Sequence, residues 1–222
     1  MRREVDFEEI SDGSKYAKND LVKIGCNECE GCYECCKDMD KSITLDPYDI
    51  YLLTTHLEVT FEELLQSAIS LMVAKGMVIP HIQMIKDRNC CYFLSEAGRC
   101  SIHQIRPGLC RLFPLGRVYE EDGFQYFVQK DQCLKEPKTK VKVKRWLDIP
   151  SLSSYEKFVL DWYKLQTYVQ NQVLELSQKG DDETIRYMNL KLIEVFFQNP
   201  YATNSSFEQQ FSERMQNYRG LF

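Results

Sequence analysis

The sequence has no apolar run approaching the ~18 residues that a membrane-spanning helix needs. Its opening, Met1 to Ile10, is charged and lacks an apolar stretch followed by a small-residue cleavage site. No export signal is expected, so the expected compartment is the cytoplasm, where thiols stay reduced. Basic residues are not in excess. Lys and Arg number 28 against 33 Asp and Glu, the formal net charge is -5, and the sequence pI is about 5.4. That balance argues against nucleic acid or an anionic membrane as a partner. Histidine is scarce: His56, His81 and His103 are the whole supply, and none sits in an HExxH or Cys-His zinc pattern. No G-x-G occurs, which removes the usual glycine-rich loop for a dinucleotide or S-adenosylmethionine. No Ser-His-Asp or lysine-based catalytic motif stands out, and there is no internal repeat or low-complexity tract. Beyond Cys133 there is no cysteine at all.

What is present is a chain of 222 residues, 44% hydrophobic and 27% charged, long enough to bury a core without disulfide staples. Ten cysteines lie at 26, 29, 32, 35, 36, 90, 91, 100, 110 and 133. They divide the chain into a polar segment 1–24, a cysteine-bearing domain 25–134, a basic linker-like stretch 135–150, and C-terminal helices 151–222 packed on the same domain. The fold class expected is α+β, with short strands and loops around a polycysteine metal site and helices packed against it.

Local signals support that outline. Ser42 to Leu45 reads as a short strand. Asp46-Pro47 reads as an N-cap with proline at the first helical position, followed by Ile50, Leu53 and Leu57 at helical spacing. Thr60 and Glu63 form a capping box, and Leu64, Leu65, Ile69 and Met72 predict one buried helical stripe ending at Gly76. Val78 to Phe113 reads as short strands and loops. Arg117 to Gln129 predicts a hairpin turning at Glu121-Asp122-Gly123, with half-buried Tyr119, Phe124, Tyr126 and Phe127. Lys135 to Arg145 reads as a solvated connector. Three helices follow, the first capped by Ser153 or Ser154 and stopped by Gly180, the second opened by Asp181 or Asp182 and halted by Asn199-Pro200, the last running from about Ser206 to Arg219.

The run C-x2-C-x2-C-x2-C-C from Cys26 to Cys36 is hard to explain as packing. Zinc and iron–sulfur sites need thiolates converging within a few ångströms, and C-x2-C turns supply them in pairs. Adjacent residues tend to point apart, so Cys35 and Cys36, and likewise Cys90 and Cys91, are not expected to serve one ion together. Either the members of a pair serve different ions or one is a bystander, and two metals or a cluster fit better than one isolated ion. The later cysteines are widely spaced and need tertiary structure to gather them, with turns at Gly98 and Pro107-Gly108. Arg106 and Arg111 are candidate donors toward thiolate sulfur, with His103 beside them. Cys26-x2-Cys29-x2-Cys32-x3-Cys36 has the spacing of a bacterial ferredoxin run, but Lys37 stands where proline is expected and no second run exists.

Two stretches resemble the YkgJ-type cysteine-cluster family. Cys29-Glu-Gly-Cys32-Tyr-Glu-Cys35-Cys36 is similar to its CxxCxxCC signature, and CYFLSEAGRCSIHQIRPGLCRLFP, Cys91 to Pro114, is similar to its second signature. The resemblance spans about Gly25 to Cys133. It implies a zinc- or iron-chelating domain with eight cysteines, here Cys29, Cys32, Cys35, Cys36, Cys91, Cys100, Cys110 and Cys133, and leaves Cys26 and Cys90 as additional candidates. Three functions follow as expectations. The first is a metal-binding module whose cofactor is zinc or iron, with the metal ion as ligand and a protein partner or substrate on the helical tail. The second is an enzyme related to flagellin lysine-N-methylases, which share the pattern. The third is a redox protein carrying an iron–sulfur cluster.

Overall fold

The structure, a computed structural model, describes residues 7–26 and 32–222. Cys29 lies outside the described residues. The fold is α+β, as expected. Among the described residues the strands form four separate two-stranded ladders: β1 (Leu21–Gly25) with β8 (Thr139–Lys142), β2 (Ile69–Ala74) with β3 (Met77–Ile82), β4 (Met84–Ile85) with β5 (Cys90–Cys91), and β6 (Leu115–Glu120) with β7 (Gly123–Val128). All are antiparallel. The helices are α1 (Phe7–Ile10), α2 (Pro47–Leu57), α3 (Phe61–Ser67), α4 (Gly108–Leu112), α5 (Val143–Leu147), α6 (Leu152–Lys179), α7 (Asp182–Ile193) and α8 (Phe207–Arg219). No helix among the described residues is long and apolar enough to cross a membrane.

The capping signals carry over to the fold. Asp46 accepts the Asp49 N–H at the start of α2, Asp49 accepts back from Asp46 N, and Pro47 occupies the first turn. Thr60 and Glu63 close the same reciprocal pair at α3. The helix does not reach Gly76, however. It ends at Ser67, and Ile69 and Met72 lie in β2 of a hairpin. Leu64, Ile69 and Met72 fit either period over so short a stretch, and Lys75-Gly76, both at positive φ, make the tight turn a hairpin needs. Asn189 of α7 secures that turn by donating to Gly76 O at 3.0 Å and accepting from Val78 N at 2.6 Å. Ser42 to Leu45 contributes only an isolated bridge, Thr44 to His81. The hairpin at 115–128 turns at Glu121-Asp122 as predicted.

The basic stretch at 135–150 contains β8 and α5 rather than a bare connector. Val141 and Val143 turn inward with Val22, Ile24, Leu112, Leu115, Tyr126 and Leu147 to make a small second core, while Lys140, Lys142 and Lys144 stay exposed.

The main core joins the cysteine-bearing part to the C-terminal helices: Ile50, Leu53, Phe61, Ile82 and Phe93 meet Phe158, Trp162, Leu165, Leu192, Phe196 and Phe211. Helix α6 is its spine, burying Phe158, Trp162, Leu165, Val169 and Val173 at helical spacing. Its N-cap is Ser151, earlier than the expected Ser153 or Ser154, and it stops at Gly180 with φ 72°. Asp181 caps α7, and Ser206 caps α8.

Candidate metal centre

Each cysteine is placed by an element too short to stand alone. Cys35 and Cys36 sit on a single 3-10 turn, Glu34–Cys36. Cys90 and Cys91 form β5, Cys100 lies in the loop beyond it, and Cys110 is in α4. Two isolated bridges draw these pieces together, Lys37 to Cys90 and Leu94 to Cys100. The loop from Cys91 to Cys100 turns at Gly98, with φ 70°, and a Cβ there would press on the Tyr33 ring at 3.0 Å. Tyr33 thus packs the first cysteine run onto the second, and Gly98 is a position only glycine fills without strain.

The result is one neighbourhood of five thiols. Cys36 feels the charge of Cys35, Cys91 and Cys100, and Cys110 that of Cys91, Cys35 and Cys100. Cys35 and Cys36 share a hydrogen bond, which brings Cys35 down to about 7 and, together with burial, pushes Cys36 far up. Burial lifts Cys91 to about 11 and raises Cys100 and Cys110, while the Arg106 guanidinium pulls Cys100 and Cys35 the other way. A cation entering here must displace protons from most of the set, so its affinity rises with pH.

A second neighbourhood forms around Cys133. Burial raises its thiol, and the charges of Cys26 and Cys32 raise it further, against Lys138, which also donates to Cys133 O at 2.7 Å. The two cysteines outside the family pattern therefore part company. Cys26 joins Cys133 and Cys32, whereas Cys90, 3% exposed, is buried beside Cys91 in the main core. Cys91 acts on Cys36 and Cys110, and Cys90 acts on Cys91. Among the described residues no three Cys, His, Asp or Glu side chains stand in finished ligand geometry.

Both neighbourhoods border one cleft of about 1590 Å³, lined by Cys26, Cys32, Cys35, Cys36, Cys91, Cys100 and Cys110. Of the residues expected to support the site, Arg106 donates to the His103 ring at 3.0 Å and to His103 O at 2.9 Å and lies beside the thiols. Arg111 directs Nε to Arg106 O at 3.1 Å, Nη1 to Asp148 O at 3.1 Å and Nη2 to Gln104 O. It binds backbone carbonyls and so fixes the loop from which Arg106 projects. His56 is exposed, and His81 is buried with Nδ1 at 2.9 Å from Ile82 O.

Sequence reading missed Asp49, Arg117 and Tyr155. Asp49, 2% exposed, accepts the Gly108 N–H at 2.7 Å and so ties α2 to the helix that carries Cys110. The capping box at Asp46-Pro47 gave its local role but not this long-range one. A Cβ on Gly108 would collide with the Tyr155 hydroxyl, so the start of α4 has room for glycine only. Arg117 was signalled only as a lone cation in an aromatic ladder, paired across the hairpin with Tyr126.

No curated protein and no solved structure matches the chain. One family model does, the CxxCxxCC family, described as "Putative zinc- or iron-chelating domain", over residues 28–140, just over half of the 222 residues. The matched region begins one residue before Cys29, ends seven after Cys133 and takes in nine of the ten cysteines, leaving out Cys26. With its gathered thiols and this match, the chain belongs to the CxxCxxCC family of zinc- or iron-chelating domains.

Proposed function

We propose that this protein holds zinc or iron through thiolates at two neighbouring centres. One draws its four thiolates from among Cys35, Cys36, Cys91, Cys100 and Cys110, where Cys35 and Cys36 hydrogen-bond to each other instead of pointing apart as adjacent residues were expected to do. The other draws on Cys26, Cys32 and Cys133, with Cys29 as the fourth thiol by its C-x2-C spacing. The observation that supports this reading is the convergence of five cysteines from four separate chain segments, a placement that packing alone does not call for. Cys32, Cys91, Cys100 and Cys110 come from loops, a strand and a helix, and their thiols are soft donors of the kind that select zinc, iron and iron–sulfur clusters. Arg106 would offset the negative charge that a thiolate-saturated site carries. Reduced thiols are a condition of such sites, so the setting is cytoplasmic.

Metal content and an absorption spectrum test this, on protein purified without oxygen and without a metal-affinity tag. The expected outcome is two equivalents of metal. Cys110→Ser and Cys133→Ser should each lose about one of them, and Cys90→Ser should keep both. Loss of all metal in either single variant would argue for one shared centre, and unchanged metal in both would rule out thiolate ligation. A colourless zinc protein points to closed structural sites. Iron with acid-labile sulfide and a brown spectrum points to a cluster.

A further inference from the structure

Helix α4 has five residues, and Cys110 is the third of them. A helix that short does not hold its own shape, because nucleating it costs more than its few hydrogen bonds return. The residue before it is Pro107, whose side chain offers no acceptor, so the first turn has no side-chain cap from its own segment.

The cap comes from α2 instead. Asp49 Oδ1 accepts the Gly108 N–H at 2.7 Å across 59 residues of sequence. Its other oxygen, Oδ2, accepts the Asp46 N–H at 3.0 Å and closes the capping box of α2. One carboxylate thus serves the starts of two helices, each oxygen facing one backbone N–H. Burying a carboxylate to 2% exposure is costly unless its oxygens are matched, and half of that matching runs through the helix that carries Cys110. The charges of Arg111 and Arg117 act on the same group. Arg111 is the fourth residue of α4, and its guanidinium is anchored on the carbonyls of Gln104, Arg106 and Asp148. Helix α4 is therefore gripped at its first residue by Asp49 and at its fourth by Arg111, with Cys110 between the two.

We propose that Asp49 is a positioning residue for the five-thiol centre: by capping α4 from another helix, it sets where Cys110 stands among the other thiols and so how long that centre keeps its metal. The inference rests on thiolate ligation as proposed above, and Asp49 acts through α4 without being a ligand. Asp49→Asn keeps one oxygen but turns an amide donor toward one of the two backbone N–H groups, so it cannot serve both helix starts at once.

The zinc-loaded full chain, challenged with an excess of a chromogenic chelator and followed by absorbance, tests it. Two phases of release are expected, of which Cys110→Ser lacks one and Cys133→Ser the other. Asp49→Asn should speed the phase missing from Cys110→Ser by about tenfold or more and leave the other unchanged. Thr60→Ala, which deletes a cap of the same kind on α3, should alter neither phase, which separates positioning from a general loosening of the fold. Equal acceleration of both phases by Asp49→Asn, or acceleration of neither, overturns the proposal. Should Asp49→Asn fail to fold, the Gly108 amide of the unaltered chain decides. Coupling between sites is reciprocal, so zinc must slow hydrogen exchange at Gly108 N–H more than at Glu63 N–H, which Thr60 caps. Equal effects on the two amides overturn the proposal. Failure of the unaltered chain to take up zinc, or uptake that Cys110→Ser leaves whole, overturns the thiolate reading and this inference with it; the other adverse outcomes overturn this inference alone.

Discussion

The cysteine-bearing part and the C-terminal helices are built on opposite plans. Helix α6 runs for 28 residues with a continuous buried stripe, and α7 and α8 are capped by Asp181 and Ser206. Every turn of such a helix adds backbone hydrogen bonds from its own sequence. The cysteine part has ladders of two strands each, some only two residues long, and turns of three residues. Isolated two-stranded pairs of that size are marginal in water. One half is therefore stable by local periodicity and an aromatic core, and the other is held by contacts distant in sequence and by whatever its thiols bind.

Removing the metal should break the comparison most visibly. Stripping it with a strong chelator should cost the cysteine part of the order of 10 kcal/mol per structural ion. Hydrogen exchange should then show β4, β5 and the loop to α4 losing protection while the middle of α6 keeps it. Equal loss across both regions would mean that they form one cooperative unit. Next in size is Trp162→Ala, which removes the ring set between Phe196 at 5.3 Å, Phe197 at 5.9 Å and Phe211 at 6.3 Å. A loss of about 3–5 kcal/mol is expected in chemical denaturation, with metal content unchanged in the folded protein.

The alkaline limb should be gentler. Tyr218 is buried, donates to Met188 O at 3.1 Å, and has its pKa raised by burial above the usual 10.0. A raised folded pKa means a contribution fully present below pH 10 and lost as pH climbs above it. Tyr218→Phe should flatten the fall in stability above pH 10 without altering metal content. Smallest is Thr60→Ala, which deletes the α3 cap and should cost about 1 kcal/mol by thermal melting. Asp181→Ala at α7 should match it, so that a larger loss at either cap marks the less self-sufficient region.

The same contrast explains what could be read from the sequence. The C-terminal helices were legible because 3.6-residue periodicity, Gly180, Asp181 and Pro200 each act locally. The capping boxes at Asp46 and Thr60 were legible for the same reason. The β2–β3 hairpin was not, since Leu64 to Met72 satisfies a helical period and the turn is settled by Asn189, more than a hundred residues away. The cysteine signatures announced a metal-chelating domain, but the division of thiols into two neighbourhoods depends on which loops touch, and Cys26 and Cys90 look alike in the sequence although one folds beside Cys133 and the other beside Cys91.

The bridge between Lys37 and Cys90 has one further consequence. It lies next to Cys36 on one strand and Cys91 on the other, and it is made of backbone, not sulfur. Backbone pairing thus works with the thiols' ligand to close the long loop between Cys36 and Cys91, so that the two share the entropy of closure. It also means that a mutation at Asn89 or Asp38, whose side chains hydrogen-bond to each other beside the bridge, could loosen a metal that neither residue touches.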